Sequence, residues 1–153
     1  VWLVIRLCTD DDEVVDFYNS LDNELELSID VLDDFVSEAR EVFKHNSWLN
    51  YALPLHRLRE MGYHDRLFDM LDERALSKGE LRDFCILLFG IKRFDGVVDP
   101  SEDWKGFVKN LEQLLMTEKL QYNPIFRKMM PWIDVKRLNI IYGKGGGCKC
   151  AIM

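Results

Sequence analysis

The hydrophobic residues of the chain recur mainly every three or four positions, with polar residues between them. That period predicts α-helices whose apolar stripes face a common core. No segment combines apolar–polar alternation with a tight Asn-Gly turn, the pattern typical of a β protein. We therefore predict an all-α fold, a compact bundle of about six or seven helices with short connections. The positions that define successive stripes are Val14, Phe17 and Leu21; Ile29, Leu32, Phe35, Ala39 and Val42; Leu55, Leu58 and Met61; Leu67, Phe68 and Leu71; Leu81, Phe84 and Leu88; Trp104, Phe107, Leu111 and Leu114; Ile125, Phe126 and Met129; and Trp132, Val135, Leu138 and Ile141.

Local signals indicate where several helices begin and end. Ser77 and Glu80 have the spacing of a capping box, and the helix behind them, apolar on nearly all sides, is predicted to lie at the centre of the core. Gly62 is suited to end the helix that follows Pro54. Pro100 is predicted to occupy the first position of a helix.

Three segments carry further expectations. Ser28 is predicted to open the second helix, and Asn123-Pro124 to open a later one. Val1 to Leu7 is either a strand or the end of a helix. The acidic side chains of the second helix are expected to face solvent, opposite its apolar stripe: Asp33, Asp34, Glu38 and Glu41.

Composition fits one folded domain followed by a tail. The 153 residues are 48% apolar and 31% charged, and we divide them into a helical domain over 1–142 and a glycine-rich tail over 143–153. The formal net charge of −7 argues against nucleic acid as the main partner. No apolar run approaches the roughly 18–20 residues of a membrane-spanning helix, and no signal peptide is visible. Because the sequence opens without Met, the interpretation that it is the C-terminal part of a longer chain stays open.

The polar residues form no recognisable catalytic or metal-binding motif. His45, His56 and His64 lack metal-ligand spacing and are predicted to be surface or helix-end residues. Cys8 and Cys85 lie among apolar residues and are predicted to be buried, which with the absence of a disulfide framework indicates a reducing compartment. We therefore predict no catalytic residue, no metal and no cofactor, which favours a non-enzymatic role without excluding an enzyme.

The last four residues, Cys150-Ala151-Ile152-Met153, match the C-a-a-X pattern with Met at X, which is typical of farnesylation. This tetrapeptide resembles the CaaX box of farnesylated small GTPases, nuclear lamins and other lipid-anchored signalling proteins. The resemblance implies a thioether-linked isoprenoid on Cys150, with a prenyltransferase as modifying enzyme, loss of the last three residues and carboxyl methylation. It covers these four residues alone, and the alternative is a chance tetrapeptide in a chain that no prenyltransferase meets.

The residues before this box suit a lipid tail. Gly143-Lys144-Gly145-Gly146-Gly147 is predicted to be a flexible tether, and Cys148 is a candidate for palmitoylation, since one lipid chain binds membranes only marginally. Residues 127–153 hold six basic residues and one acidic residue, although the whole chain is acidic. Lys136, Arg137, Lys144 and Lys149 are therefore predicted to be attracted to an anionic leaflet. The alternative is that Lys136 and Arg137 simply solvate a helix.

A second pattern covers residues 67–97. Paired apolar positions at Leu67-Phe68 and Leu87-Leu88 are followed by Arg93 and Asp95. This is similar to the fourth and fifth helices of death effector domains and their Arg-x-Asp-Leu motif, in which Arg93 and Asp95 match the Arg and the Asp, whereas Gly96 departs from the Leu. The resemblance implies homotypic helical assembly through a surface that includes Arg93 and Asp95. The alternative is that any leucine-rich antiparallel helix pair shows this pattern.

These observations lead to three functional hypotheses. The first is a prenylated helical protein-interaction or adaptor domain, in signalling or host-factor recruitment, held at the cytoplasmic face of a membrane. It would have a protein partner that the sequence does not identify. The second is the helical C-terminal region of a larger soluble protein, such as a pathogen effector or an enzyme. The third is a death-effector-like assembly module.

Overall fold

The computed structural model describes residues 3–9, 11–24 and 29–143. These residues form seven α-helices and four short β-strands, so the predicted helical architecture is confirmed. The helices are α1 (Asp12–Glu24), α2 (Phe35–His45), α3 (Leu53–Glu60), α4 (Arg66–Glu73), α5 (Lys78–Phe89), α6 (Trp104–Leu115) and α7 (Val135–Tyr142). The strands are β1 (Leu3–Arg6), β2 (Ile29–Leu32), β3 (Gln121–Asn123) and β4 (Lys128–Met130).

The first two strands form a parallel pair, with α1 between them in the chain. The register runs from Leu3 opposite Ile29 to Arg6 opposite Leu32. Leu3–Arg6 is therefore a strand, which decides between the two sequence interpretations for the described part of residues 1–7. The predicted helix opening at Ser28, a residue outside the described ranges, is wrong. The helix instead begins after Asp34, whose carboxylate accepts a hydrogen bond from the Val36 amide at 2.8 Å.

The predicted helix from Asn123 is also wrong, because this segment is an antiparallel hairpin of β3 and β4. The side-chain oxygen of Asn123 accepts hydrogen bonds from the amides of Ile125, at 3.0 Å, and Phe126, at 2.8 Å. These bonds fold the chain into a turn and compete with helix formation. Arg127 completes the turn with a φ of 52°.

Helix α5 begins as predicted. The Ser77 hydroxyl accepts from the Glu80 amide, and the Glu80 carboxylate accepts from the Ser77 amide, which is a complete capping box. Its inner face is fully enclosed in the core through Leu81, Phe84 and Cys85. The helix begins directly after Ser77, because Ser77 is the first residue after α4 whose side chain can supply this cap.

The other end signals are confirmed in one case and wrong in another. Gly62 follows α3 with a φ of 77°, a conformation that side-chain-bearing residues rarely adopt. Pro100, by contrast, is buried in a turn and begins no helix. Helix α6 starts four residues later, at Trp104, because the Asp103 carboxylate accepts from the Gly106 amide at 2.9 Å.

The core is organised around the buried connection between α2 and α3. Trp48 is fully enclosed and packs edge-on against Phe84 of α5. Asn46 is also fully enclosed, and its side chain donates to the carbonyls of Leu71 and Arg74, both at 2.8 Å. The same side chain accepts from the Leu76 amide at 3.1 Å. This connection therefore fixes the end of α4 and the approach to α5.

Candidate functional site

The predicted lipid-bearing tail continues from α7, the last helix of the domain. Trp104 donates to the Asn139 side chain at 2.8 Å, and the Tyr142 hydroxyl donates to the Leu76 carbonyl at 2.6 Å. A side chain at Gly143 would place its Cβ 2.5 Å from the Asn139 carbonyl oxygen, so glycine is required where the helix ends. The described residues do not include four of the predicted tail residues: Lys144, Cys148, Lys149 and Cys150.

The outer face of α7 is exposed and leads towards the tail. Lys136, Ile140 and Gly143 are spaced as one helical stripe, and all three are exposed. The Ile140 side chain is 72% exposed, which is unusual for an isoleucine in a folded domain. This stripe therefore presents one cation and one large apolar side chain on the surface from which the tail departs.

Arg137 has a different environment from Lys136. Its guanidinium carbon lies 5.0 Å from the centre of the Phe43 ring and 5.1 Å from that of Phe126. Its Nε also lies 3.3 Å from a carboxylate oxygen of Asp134. These contacts join α2, the hairpin and α7. Of the two described cations that were predicted to face a membrane, Lys136 is free to do so and Arg137 is held within the fold.

An apolar groove lies beside the beginning of α7. We define it by the residues that line it: Leu115, Met116, Met130, Pro131, Ile133 and Val135, with Glu112, Asp134 and Lys136 at its charged rim. Its volume is about 590 Å³, within the range of small-molecule binding sites. Met116 is 86% exposed at its edge, whereas Ile133 is buried.

The wall of the groove is held by the backbone. Ile133 pairs with Leu49 in an isolated β-bridge, and the Asp134 amide donates to the Trp48 carbonyl at 2.8 Å. The Asp134 carboxylate then caps α7 by accepting from the Arg137 amide at 3.1 Å. The groove is therefore a fixed feature between α6, β4 and α7, and its chemistry suits an apolar chain rather than a polar ligand.

Arg93 and Asp95 lie on another surface. Arg93 ends a short 3-10 turn (Ile91–Arg93) and forms an ion pair with Glu118, beyond the end of α6. Asp95 is exposed, and Phe94 between them is buried. Gly96 has a φ of 77°, which explains why glycine rather than leucine follows Asp95. Both residues are thus brought to one exposed corner, with the arginine engaged within the chain.

A buried cluster of charges joins α2, α3 and α4. One Arg59 nitrogen, Nη1, lies 2.6 Å from the Glu38 carboxylate and 2.8 Å from the Asp72 carboxylate. Glu38 also accepts from the Asp33 amide at 3.1 Å. Burial raises the pKa of Glu38 to about 7, although the charge of Arg59 acts to lower it. The expectation that Glu38 faces solvent is therefore wrong, since it is only 2% exposed.

A polar pocket of about 510 Å³ lies between β1 and α3, and it includes Cys8, Arg6, His56, Arg57 and Glu60. Glu60 pairs with Arg57 and, at 2.9 Å, with Arg6. Burial acts to raise the pKa of Glu60, but these arginines lower it overall. The two guanidinium groups therefore stabilise the ionised form of the Glu60 carboxylate and offset its negative charge.

The same pocket overturns two predictions. Cys8 is exposed, whereas Cys85 is buried as predicted. His56 lies in the middle of α3 and is buried, not at the surface, because its ring packs against the rings of Phe35 and Tyr51. Burial lowers the pKa of His56, so the ring is neutral at pH 7. Within the described ranges no hydrogen bond joins Cys8 to His56, and a base-activated thiol is not formed.

The described residues include neither a candidate metal site nor a candidate membrane span. No group of three or more His, Cys, Asp or Glu side chains in this part of the chain has the geometry to hold a metal ion. None of the helices in residues 3–9, 11–24 and 29–143 is both long and apolar enough to span a bilayer.

The groove and the buried charges were not predicted from the sequence. The groove draws on three elements, and no local pattern marks their meeting. Glu38 did carry a signal, because it lies three residues after Phe35 and four before Val42, on the apolar stripe of α2. Comparison of the chain with models of protein families, with curated proteins and with solved structures finds no match.

Proposed function

We propose that this chain is a helical protein-interaction domain that a farnesyl group on Cys150 tethers to the cytoplasmic face of a membrane. The Cys150 thiol gives its proton to solvent, and the resulting thiolate attacks the first carbon of farnesyl diphosphate. A carbon–sulfur bond forms while the carbon–oxygen bond breaks, and diphosphate leaves with the electron pair. The terminal tetrapeptide carries this proposal, which requires that Met153 is the C-terminus of the protein.

The position of the tail supports the proposal. Gly143 is exposed at the end of α7, and Cys150 lies seven positions after it in the chain. Fully extended, that length spans about 23–25 Å, enough for the cysteine to enter a modifying enzyme without unfolding the domain. Lys136 and Ile140 add a charged and an apolar group on the same exposed stripe. Each basic residue near an anionic leaflet contributes about 1 kcal/mol.

The tether would act by concentration. Confinement to one surface raises the effective concentration of the domain for other proteins on that surface without any new contact. The exposed apolar side chains near the groove, among them Met116, are typical of a surface used for interaction.

Membrane partition of cysteine variants tests the proposal. In eukaryotic cells the unaltered chain should pellet with membranes, and Cys150→Ser should release most of it to the soluble fraction. Cys8→Ser is the matched control, since Cys8 is exposed but remote in sequence from the tail. Equal partition of the unaltered chain and Cys150→Ser would rule out lipid tethering.

A second candidate function is supported by the pair of β1 and β2. Parallel strands usually lie within larger sheets covered on both faces, and two strands alone are marginally stable. In the described residues this sheet has only two strands, and Leu3 remains half exposed. Such a unit fits one end of a larger α/β domain, as in the hypothesis that the chain belongs to a longer protein.

Hydrogen exchange tests this second candidate. If the sheet needs further strands, the amides of β1 and β2 should exchange at least a hundredfold faster than those of α5 in the 153-residue chain. A longer native polypeptide, expressed from the same gene, should protect them. Equal protection of β1 and α5 in the chain by itself would contradict this candidate. Lipid modification is compatible with either length.

The death-effector-like assembly remains a prediction. Because Arg93 already pairs with Glu118, a surface role can be separated from a local one by charge exchange. Arg93→Glu should abolish oligomers in sedimentation experiments, and adding Glu118→Arg should not restore them. Restoration by the second change would indicate that the ion pair is only structural, and a monomeric unaltered chain would exclude assembly.

A further inference from the structure

The apolar groove has the properties of a binding site for a single flexible apolar chain. Six of its nine lining residues are aliphatic or thioether in character, and the other three are charged. Met116 and Met130 contribute unbranched side chains that adapt their shape to a ligand. The volume of about 590 Å³ is within the range of small-molecule binding sites.

The tail is long enough to reach this groove. The groove borders the first residues of α7, Val135 and Lys136, whereas the tail leaves its last turn. Eight helical residues separate the two points by about 12 Å. The seven residue steps from Gly143 to Cys150 span up to about 23–25 Å, so the Cys150 sulfur can return alongside α7 to the groove.

We propose that the apolar groove binds the isoprenoid carried by Cys150 of the same molecule. This inference rests on the proposed function, because it requires lipid on Cys150. In solution the groove shelters the lipid from water, and at a membrane the lipid leaves the groove for the bilayer. The groove thereby regulates the tether, since only molecules with an empty groove have their lipid available for insertion.

The binding site is tested first without covalent lipid. The probe is N-acetyl-S-farnesylcysteine, added to the Cys150→Ser chain with methyl-labelled methionines. Binding should shift the methyl resonances of Met116 and Met130 in a saturable manner. Met116→Glu, at the exposed edge of the groove, should weaken binding at least tenfold. Met61→Glu, the same substitution at an exposed methionine outside the groove, should leave binding unchanged.

Occupation by the protein's own lipid is tested with the chain farnesylated in vitro. Its Met116 and Met130 resonances should already be shifted, and the probe should produce no further change. Binding to neutral vesicles should increase at least threefold in farnesylated Met116→Glu, but not in farnesylated Met61→Glu.

Each result has a defined meaning. If the probe fails to bind Cys150→Ser, or binds another surface, the groove is not an isoprenoid site and the inference is overturned. If the farnesylated chain still takes up the probe in the groove, its own lipid does not occupy the groove and the inference is also overturned. If the shifts of the farnesylated chain depend on protein concentration, a neighbouring molecule's lipid fills the groove, and the inference of binding within one molecule is overturned. Absence of lipid in cells, by contrast, contradicts the proposed function while leaving the probe results unchanged.

Discussion

The buried charge cluster permits a stringent test of the described packing through Arg59→Met. One guanidinium nitrogen of Arg59 contacts both the Glu38 carboxylate, at 2.6 Å, and the Asp72 carboxylate, at 2.8 Å. Arg59 is only 5% exposed. Methionine retains an adaptable side chain of similar length but removes the positive charge, so both carboxylates lose their counterion inside the fold.

The expected loss of stability is large. Removing one partner of a buried ion pair costs about 3–5 kcal/mol, and typical domains have about 5–15 kcal/mol in total. Because the Asp72 side chain is 17% exposed, water compensates part of its loss, and we expect a value near 3 kcal/mol at pH 8. Arg57→Met on the same helix is the matched control. Its side chain is 55% exposed, so its ion pair should contribute less than about 1 kcal/mol.

The cost should depend on pH. Burial raises the native pKa of Glu38 from 4.5 to about 7, so the native state retains its proton where the unfolded state has lost it. The resulting stabilisation is complete below about pH 4.5 and disappears as the pH rises through 7, a change of about 3 kcal/mol. At pH 5 Glu38 needs no counterion, and Arg59→Met should cost less than at pH 8. Glu38→Gln should remove this component of the pH dependence.

Urea unfolding followed by circular dichroism at pH 5 and pH 8 measures these quantities. The m-values of the unaltered chain and the variants should agree, so that midpoints report stability. Other titrating groups contribute equally to the variants and largely cancel in the differences. The reasoning is refuted if Arg59→Met costs no more than Arg57→Met at pH 8, or if its cost is equal at the two pH values.

Three further predictions concern caps and buried hydrogen bonds. Asn46→Ala should cost about 3 kcal/mol, because three backbone groups lose their partner, two of them in fully buried hydrogen bonds. Thermal unfolding should show a midpoint about 6 °C lower or more. Ser77→Ala should cost about 1 kcal/mol in urea unfolding through loss of the helix cap, and an unchanged midpoint would contradict the capping box. The hydrogen bond from Arg74 lowers the pKa of Glu80 to about 2, so its stabilisation is present above about pH 4.5 and lost as the pH falls towards 2. Glu80→Gln should therefore lower the midpoint at pH 6 but not at pH 2.

Periodicity predicted the helices wherever the apolar stripe and a cap agreed, as they do in α5. It failed over Ile29–Leu32. In this short segment Ile29 and Val31 fit the alternation of a strand, but Ile29 and Leu32 also fit the beginning of a helical stripe. It failed again at Asn123, whose side chain satisfies amides that a helix would pair with its own carbonyls. The first failure depends on long-range hydrogen bonds to β1 and the second on side-chain hydrogen bonds. The spacing of apolar residues in a short segment predicts neither kind of bond.

The candidate sites show the same division. The tail box is a contiguous pattern that the sequence alone can suggest, and it stays a prediction. The apolar groove, by contrast, depends on packing that brings Met116 next to Pro131 and Val135. Charge alone assigned Glu38 to the surface and Arg137 to a membrane. Each residue also lies on a helical stripe that contains apolar residues. That position buries Glu38 and places the Arg137 guanidinium against the Phe43 and Phe126 rings.

The most direct test of the central claim is the intact mass of the protein from eukaryotic cells, measured with and without a farnesyltransferase inhibitor. Lipid tethering predicts a species that ends at Cys150, carries one farnesyl group and a methylated carboxylate, and disappears when the inhibitor is present. An unmodified chain that still ends at Met153, with the same mass under both conditions, would contradict it.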